Sequence, residues 1–125
     1  MKYPRITIPG QCPAKSNSYK IVTKNGHASL SKQPCLKAWE EAFVWRCPLR
    51  GTKTSPLIKI PFRIDLDVYF RSKANDVDNC LKIVLDTLQR DCHVIANDNL
   101  CAEIHVRKFV DKDNPRIEFQ LEELY

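Results

Sequence analysis

The chain has 125 residues and a mass of 14.5 kDa, room for one compact domain with a modest core but not for two units of ordinary size. With 43% hydrophobic and 28% charged residues and only 3 Gly, the composition excludes disordered and collagen-like classes. No apolar run approaches the roughly 18 residues that cross a bilayer, and the N-terminus lacks the apolar core of a secretion signal, so a cytoplasmic location is expected. The net charge of +5 is segregated along the chain: residues 1–75 carry 14 Lys/Arg against 4 Asp/Glu, and residues 76–125 carry 6 against 11. Two readings are open, a basic surface facing a polyanion with a cation screening the acids, or a solvated surface whose charges mix in space.

The first predicted element is a short strand over Tyr3 to Pro9, closed by Pro9-Gly10. Tyr19 to Thr23 and His27 to Leu30 flank Lys24-Asn25-Gly26, and the Asn-Gly pair supplies the positive φ values of a tight hairpin turn. Leu36, Trp39, Phe43 and Cys47 recur at helical intervals, predicting a helix from about Lys32 to Cys47, with Ser29 or Ser31 as N-cap and Pro48 and Gly51 as terminators. From Ile58 to Phe70 every second residue is apolar, which predicts a half-buried strand that begins at an edge or pairs on one side only near Pro61, because Pro61 cannot donate to a ladder. Leu81, Val84, Leu85 and Leu88 form the stripe of an amphipathic helix from about Asp78 to Arg90. Leu100 to Val110 alternates again and is expected to form a hairpin with Arg116 to Leu124. The expected architecture is α+β, a single domain over residues 1–125 with a mixed sheet covered by two helices. The six cysteines include no Cys-x-x-Cys pair and, without a secretion signal, are expected to be reduced core thiols, with Cys35, Cys80 and Cys101 inside apolar stretches.

Chemistry concentrates in Asn75-Asp76-Val77-Asp78-Asn79-Cys80-Leu81-Lys82. In extended chain i and i+2 point the same way, so Asp76 and Asp78 can converge just before a helix, where unsatisfied N–H groups favour anions. Paired hard oxygen ligands suit Mg2+ or Mn2+. Lys82 and Asp86 follow at one-turn intervals on the polar face, and Asp98 in Asn97-Asp98-Asn99 is a third acid if the fold returns it to the helix start. Taken singly, each has a plain structural reading: Asp78 as an N-cap, Lys82 and Asp86 as a surface pair, Asn97-Asp98-Asn99 as a turn. His27, His93 and His105 have no partner at diagnostic spacing.

The series Asp76-x-Asp78-Asn79-x-x-Lys82-x-x-x-Asp86, followed by Asn97-Asp98-Asn99 and an alternating strand, resembles the signature of RusA-type Holliday junction resolvases. Pro13-Ala14-Lys15-Ser16-Asn17-Ser18-Tyr19 is similar to the early Pro-rich segment of that family. The resemblance implies a homodimer that binds four-way DNA junctions in recombination and repair and nicks two symmetric strands with Mg2+ or Mn2+. It implies Asp76, Asp78 and Asp98 as metal ligands and catalytic acids, Lys82 as the catalytic lysine and Asp86 in support. Lys15, Lys20, Arg71 and Lys73, chosen by position, are expected to hold DNA phosphates. The alternatives are a non-catalytic DNA-binding module and a metal-dependent nuclease acting on flap or duplex DNA.

Overall fold

The computed structural model describes residues 1–14 and 19–125. Its elements are β1 (Ile6–Pro9), β2 (Tyr19–Lys24), β3 (His27–Lys32), α1 (Pro34–Arg46), β4 (Phe62–Phe70), α2 (Val77–Arg90), β5 (Cys101–Val110) and β6 (Arg116–Glu123), with a 3-10 turn at Asp98–Leu100 just before β5. The expected α+β architecture is the observed one. Strands β1, β6, β4 and β5 form a mixed sheet in that order, while β2 and β3 form a separate hairpin whose turn residues Asn25 and Gly26 have φ of 53° and 77°.

The alternating strand owes its central place to its apolar residues. Ile64, Leu66 and Val68 of β4 stand beside Leu121, Phe119 and Ile117 of β6, all fully buried. Both helices cover this face of the sheet. From α1 come Leu36, Trp39 and Phe43, whose ring stacks on Phe119 at 5.6 Å, and from α2 come Cys80, Ile83, Val84, Leu85 and Leu88. Burying such side chains contributes about 1.5–3 kcal/mol each. The opposite face carries the intervening polar residues, among them Asp65, Asp67, Glu118 and Arg116.

Several expectations need correction. Helix α1 starts at Pro34 with Gln33 as its N-cap, and neither Ser29 nor Ser31 caps it. Strand β3 runs on through Lys32, and proline is preorganised for the first helical position. Strand β4 starts at Phe62 and not at Ile58, which makes only an isolated parallel bridge to Ile95. Pro61 therefore sits outside the ladder, its carbonyl accepting from Leu124 N–H at 3.0 Å, and β4 pairs on both sides from Phe62 onward, so it neither begins at an edge nor pairs on one side only. The expected β5–β6 hairpin does not form. Strand β4 lies between the two, parallel to β5 and antiparallel to β6, because the most apolar strand takes the position flanked on both sides. Of the cysteines, none in a disulfide, Cys12, Cys47, Cys80 and Cys92 are buried, whereas Cys35 is exposed and Cys101 half-buried.

Candidate active site

The parallel pairing of β4 and β5 determines where the acids fall. A parallel crossover must travel back along the sheet, and α2 makes that journey. The chain leaves β4 at Phe70, turns through residues 71–75, and enters α2 beside the end of the sheet that it has just left. Asp76 is the N-cap, with extended backbone (φ −100°, ψ 135°), but its side chain makes no capping bond. Its carboxylate is thus not consumed by the helix start. Asp78 lies in the first turn, where one carboxylate oxygen accepts the Asn79 N–H at 3.0 Å. Lys82 follows one turn later on the same side.

Asp76, Asp78 and Lys82 line one cleft of about 450 Å³, together with Asn75, Asn79 and, on its walls, Ala14, Phe70 and Ala74. Both aspartates and Lys82 are exposed, and none of the three enters an ion pair among the described residues. The segment before the hairpin is fastened to this helix start. Asn79 Nδ2 donates to the Pro13 carbonyl at 3.4 Å, and beneath it the buried thiols of Cys12 and Cys80 hydrogen-bond to each other. That bond, and then burial, push the Cys80 thiol up.

Asp98 does not join the pair within one chain. It opens the 3-10 turn, and its N–H donates to the Gln89 side chain at 3.0 Å, in the last turn of α2. Eleven residues separate Asp78 from Gln89, roughly 16 Å of helix at 1.5 Å per residue. Among the described residues no three His, Cys, Asp or Glu side chains lie close enough to hold one metal ion. The reason is topological: the residue after β4 and the residue before β5 belong to opposite ends of a parallel pair. Asp86 is half-buried two turns beyond Asp78 and does not line the cleft.

Among the residues expected to hold phosphates, Arg71 and Lys73 are exposed in the turn beside the cleft, where the Arg71 N–H donates to the Gln11 side chain at 2.7 Å. Lys20 belongs to β2 of the hairpin, and Lys15 lies outside the described residues. Two features of the cleft escaped the sequence reading. Phe70 forms its wall although its alternation marks it only as core, and Lys108 of β5 donates to the Lys73 carbonyl at 2.6 Å, with its ammonium 5.8 Å from the Phe70 ring centroid. No sequence signal identifies Lys108, because only the β4–β5 pairing brings it there.

A parallel crossover that exposes two carboxylates and an ammonium at one helix start, none of them in an ion pair among the described residues, is an arrangement suited to phosphoester chemistry. Comparison with known proteins agrees. The profile of the family described as Endodeoxyribonuclease RusA matches residues 9–122, and the chain belongs to that family. It is also 32% identical over 99 residues to the "Crossover junction endodeoxyribonuclease RusA" of Aquifex aeolicus (strain VF5), covering 78% of this chain and 74% of that protein.

Proposed function

We propose that the protein is a divalent-metal-dependent endodeoxyribonuclease that resolves four-way DNA junctions by paired, symmetric nicking, and that it works as a homodimer in recombination and repair. The observation that carries this reading is the exposed Asp76–Asp78 pair with Lys82 one turn away, in a chain of this family. Mg2+ is usually held by one or two carboxylates, with waters and phosphate oxygens completing its shell, and Mn2+ accepts the same donors. Asp76 and Asp78 fit that demand, and Asp98 would be the third ligand if a second copy supplied it. When bound, such an ion would supply Lewis-acid polarisation of the scissile phosphate, a more acidic water and a screen between the acids and the DNA. Lys82 supplies a point charge for the negative charge that grows on the phosphate oxygens. Asn79 keeps the early segment against the helix start, and the basic turn of Arg71 and Lys73, with Lys15 and Lys20, takes the flanking phosphates. Each such contact adds about 0.9 to the slope of log affinity against log salt.

A second copy solves the problem of Asp98. Strand β5 is an edge with one free side, and Ile104 and Val110 on it are 54% and 50% exposed. Two β5 strands paired antiparallel about His105 would set Glu103 opposite Arg107 and Ile104 opposite Val106, matching charge with charge and apolar with apolar. Both helical faces then lie on one side of a continuous sheet. Antiparallel pairing brings the start of one β5, with its Asp98, to the end of the other, beside Phe70 and the cleft. A four-way junction is nearly two-fold symmetric, so two such sites address two equivalent strands.

The test uses a synthetic four-way junction with Mg2+. Paired nicks at symmetric positions are expected, and intact junctions in both Mg2+ and Mn2+ would refute the reading. Mixing inactive Asp78→Asn and Asp98→Asn proteins tests the shared site. In the heterodimer one site collects both lesions and the other is whole, so single-strand nicking should return. If all three aspartates served one chain's own site, mixing would restore nothing.

A further inference from the structure

The turn between β4 and α2 positions Asp76, and it has few supports. The Gln11 side chain accepts from Arg71 N–H, Ser72 Oγ accepts from Ala74 N–H at 3.4 Å, and Asp111 N–H donates to the Phe70 carbonyl at 2.8 Å. These hold the turn's beginning or act within it. Among the described residues, the support from outside the turn that lies nearest Asp76 is Lys108. Lys108 is paired with Val68 in the β4–β5 register, on the helical side of the sheet, two residues short of the end of β5. From there its ammonium reaches across the end of β4, passes over the Phe70 ring and donates to the carbonyl of Lys73, three residues before Asp76. A charged donor to a carbonyl is among the stronger hydrogen bonds, and cation–π attraction to Phe70 limits where the lysine can swing.

We propose that Lys108 is a positioning residue for the metal-binding acids: by tying the Lys73 carbonyl to strand β5 it fixes the approach of the chain to Asp76, and with it the separation of the Asp76 and Asp78 carboxylates. The tie has a second consequence under the dimer reading. Lys108 lies on the strand that would meet the second copy, so any shift of β5 on pairing passes directly to the turn that carries Asp76. The inference rests on the proposed metal-dependent nuclease for its place in catalysis, but the tie itself can be measured without cleavage.

The experiment uses the full chain with Lys108→Met, which keeps the length and apolar stem of the side chain, and Lys108→Arg, which keeps a charged donor. Three quantities are read: Mn2+ affinity by titration calorimetry, amide hydrogen exchange across Ser72–Asp76 without metal, and junction nicking. Lys108→Met should weaken Mn2+ binding about tenfold and speed exchange in that turn about tenfold, with the melting temperature unchanged, while Lys108→Arg should restore both to within about twofold of the native protein. The proposal is overturned if Lys108→Met binds Mn2+ and exchanges like the native protein, or if Lys108→Arg is no better than Lys108→Met. It is also overturned if the Met variant loses junction affinity while keeping native Mn2+ binding, because Lys108 would then be a phosphate contact. A native chain that binds Mn2+ but leaves junctions intact would refute the nuclease reading alone, and the first two measurements would still decide the role of Lys108.

Discussion

The acids on the open face of the sheet and the acids at the head of α2 belong to the same small protein but live under opposite rules. On the sheet, Asp67 is 5% exposed and held from both sides, by Arg107 at 2.8 Å through both carboxylate oxygens and by Arg5 at 2.5 Å. Glu118 is shared by Arg5 and Arg116, Arg63 clasps Asp65 at 2.9 and 3.0 Å, and Arg116 lies 3.7 Å from the Tyr69 ring centroid. Asp76 and Asp78, in contrast, are exposed and have no cationic partner among the described residues. The sheet acids are charges neutralised within the fold, whereas the helix-head acids are not neutralised by any of the described residues. Carboxylates with internal partners maintain structure, and those without are the candidates for chemistry.

The sharpest way to break this contrast is to neutralise one acid of each kind. Asp78→Asn should lower junction nicking by about a thousandfold, equal to roughly 4 kcal/mol of transition-state stabilisation, with no change in the thermal unfolding midpoint. Junction binding should survive, as followed by gel shift without cleavage. A substantial loss of stability in this variant would move Asp78 into the structural class. Asp67→Ala should do the reverse. It leaves Arg107 and Arg5 without their carboxylate, and breaking a buried pair costs about 3–5 kcal/mol. Because both arginine heads partly reach water and can be resolvated, a value nearer 2–3 kcal/mol is expected from denaturant titration. The fraction of molecules still folded should nick at the native rate.

How far the sequence could reveal this division depends on the distance over which each signal acts. The hairpin turn, the alternation of β4 and the stripe of α2 are local, and the structure has them where the pattern puts them, within a few residues. The pairing of strands is not local. A short polar link between two alternating segments suits a hairpin, and nothing in Arg116 to Leu124 announces that it will cross β4 and pair on its far side. The same limit applies to the acids. The Asp76-x-Asp78 spacing beside a helix start is enough to place two carboxylates in one cleft, but the position of Asp98 follows from the β4–β5 crossover, and Asp67 reads in sequence as one more outward residue of a half-buried strand. Its two arginines come from 62 residues before it and 40 after it.

A smaller effect separates the roles within the cleft. Lys82→Ala removes a charge that enters no ion pair among the described residues, so stability should stay within about 0.5 kcal/mol of native. If the ammonium acts mainly on charge that develops during cleavage, the single-turnover rate should fall about a hundredfold, near 2.7 kcal/mol, while the Mg2+ concentration for half-maximal rate changes little. An unchanged rate would leave Lys82 with no place in the reaction. A large rise in Mg2+ demand would instead make it a support for the acids, and so closer in kind to Lys108.

The mildest test concerns the sheet acids and uses acid alone. The hydrogen bond from Arg107, aided by the charge of Arg5, holds the Asp67 carboxyl below its ordinary range, and Arg63 and Arg116 do the same for Asp65 and Glu118. A carboxyl whose folded pKa lies below its unfolded value near 4 contributes stability that is present above that value and is lost as pH falls through the folded pKa. Stability of the native protein should therefore decline from about pH 4 downward. Asp67→Asn should be less stable than native at pH 6, and the gap should close as the pH drops, because native Asp67 then loses the charge that the variant never had. If Asp67→Asn kept its full deficit as the pH fell, the lost charge would not be what destabilises it, and the reading of Asp67 as a charge neutralised within the fold would fail.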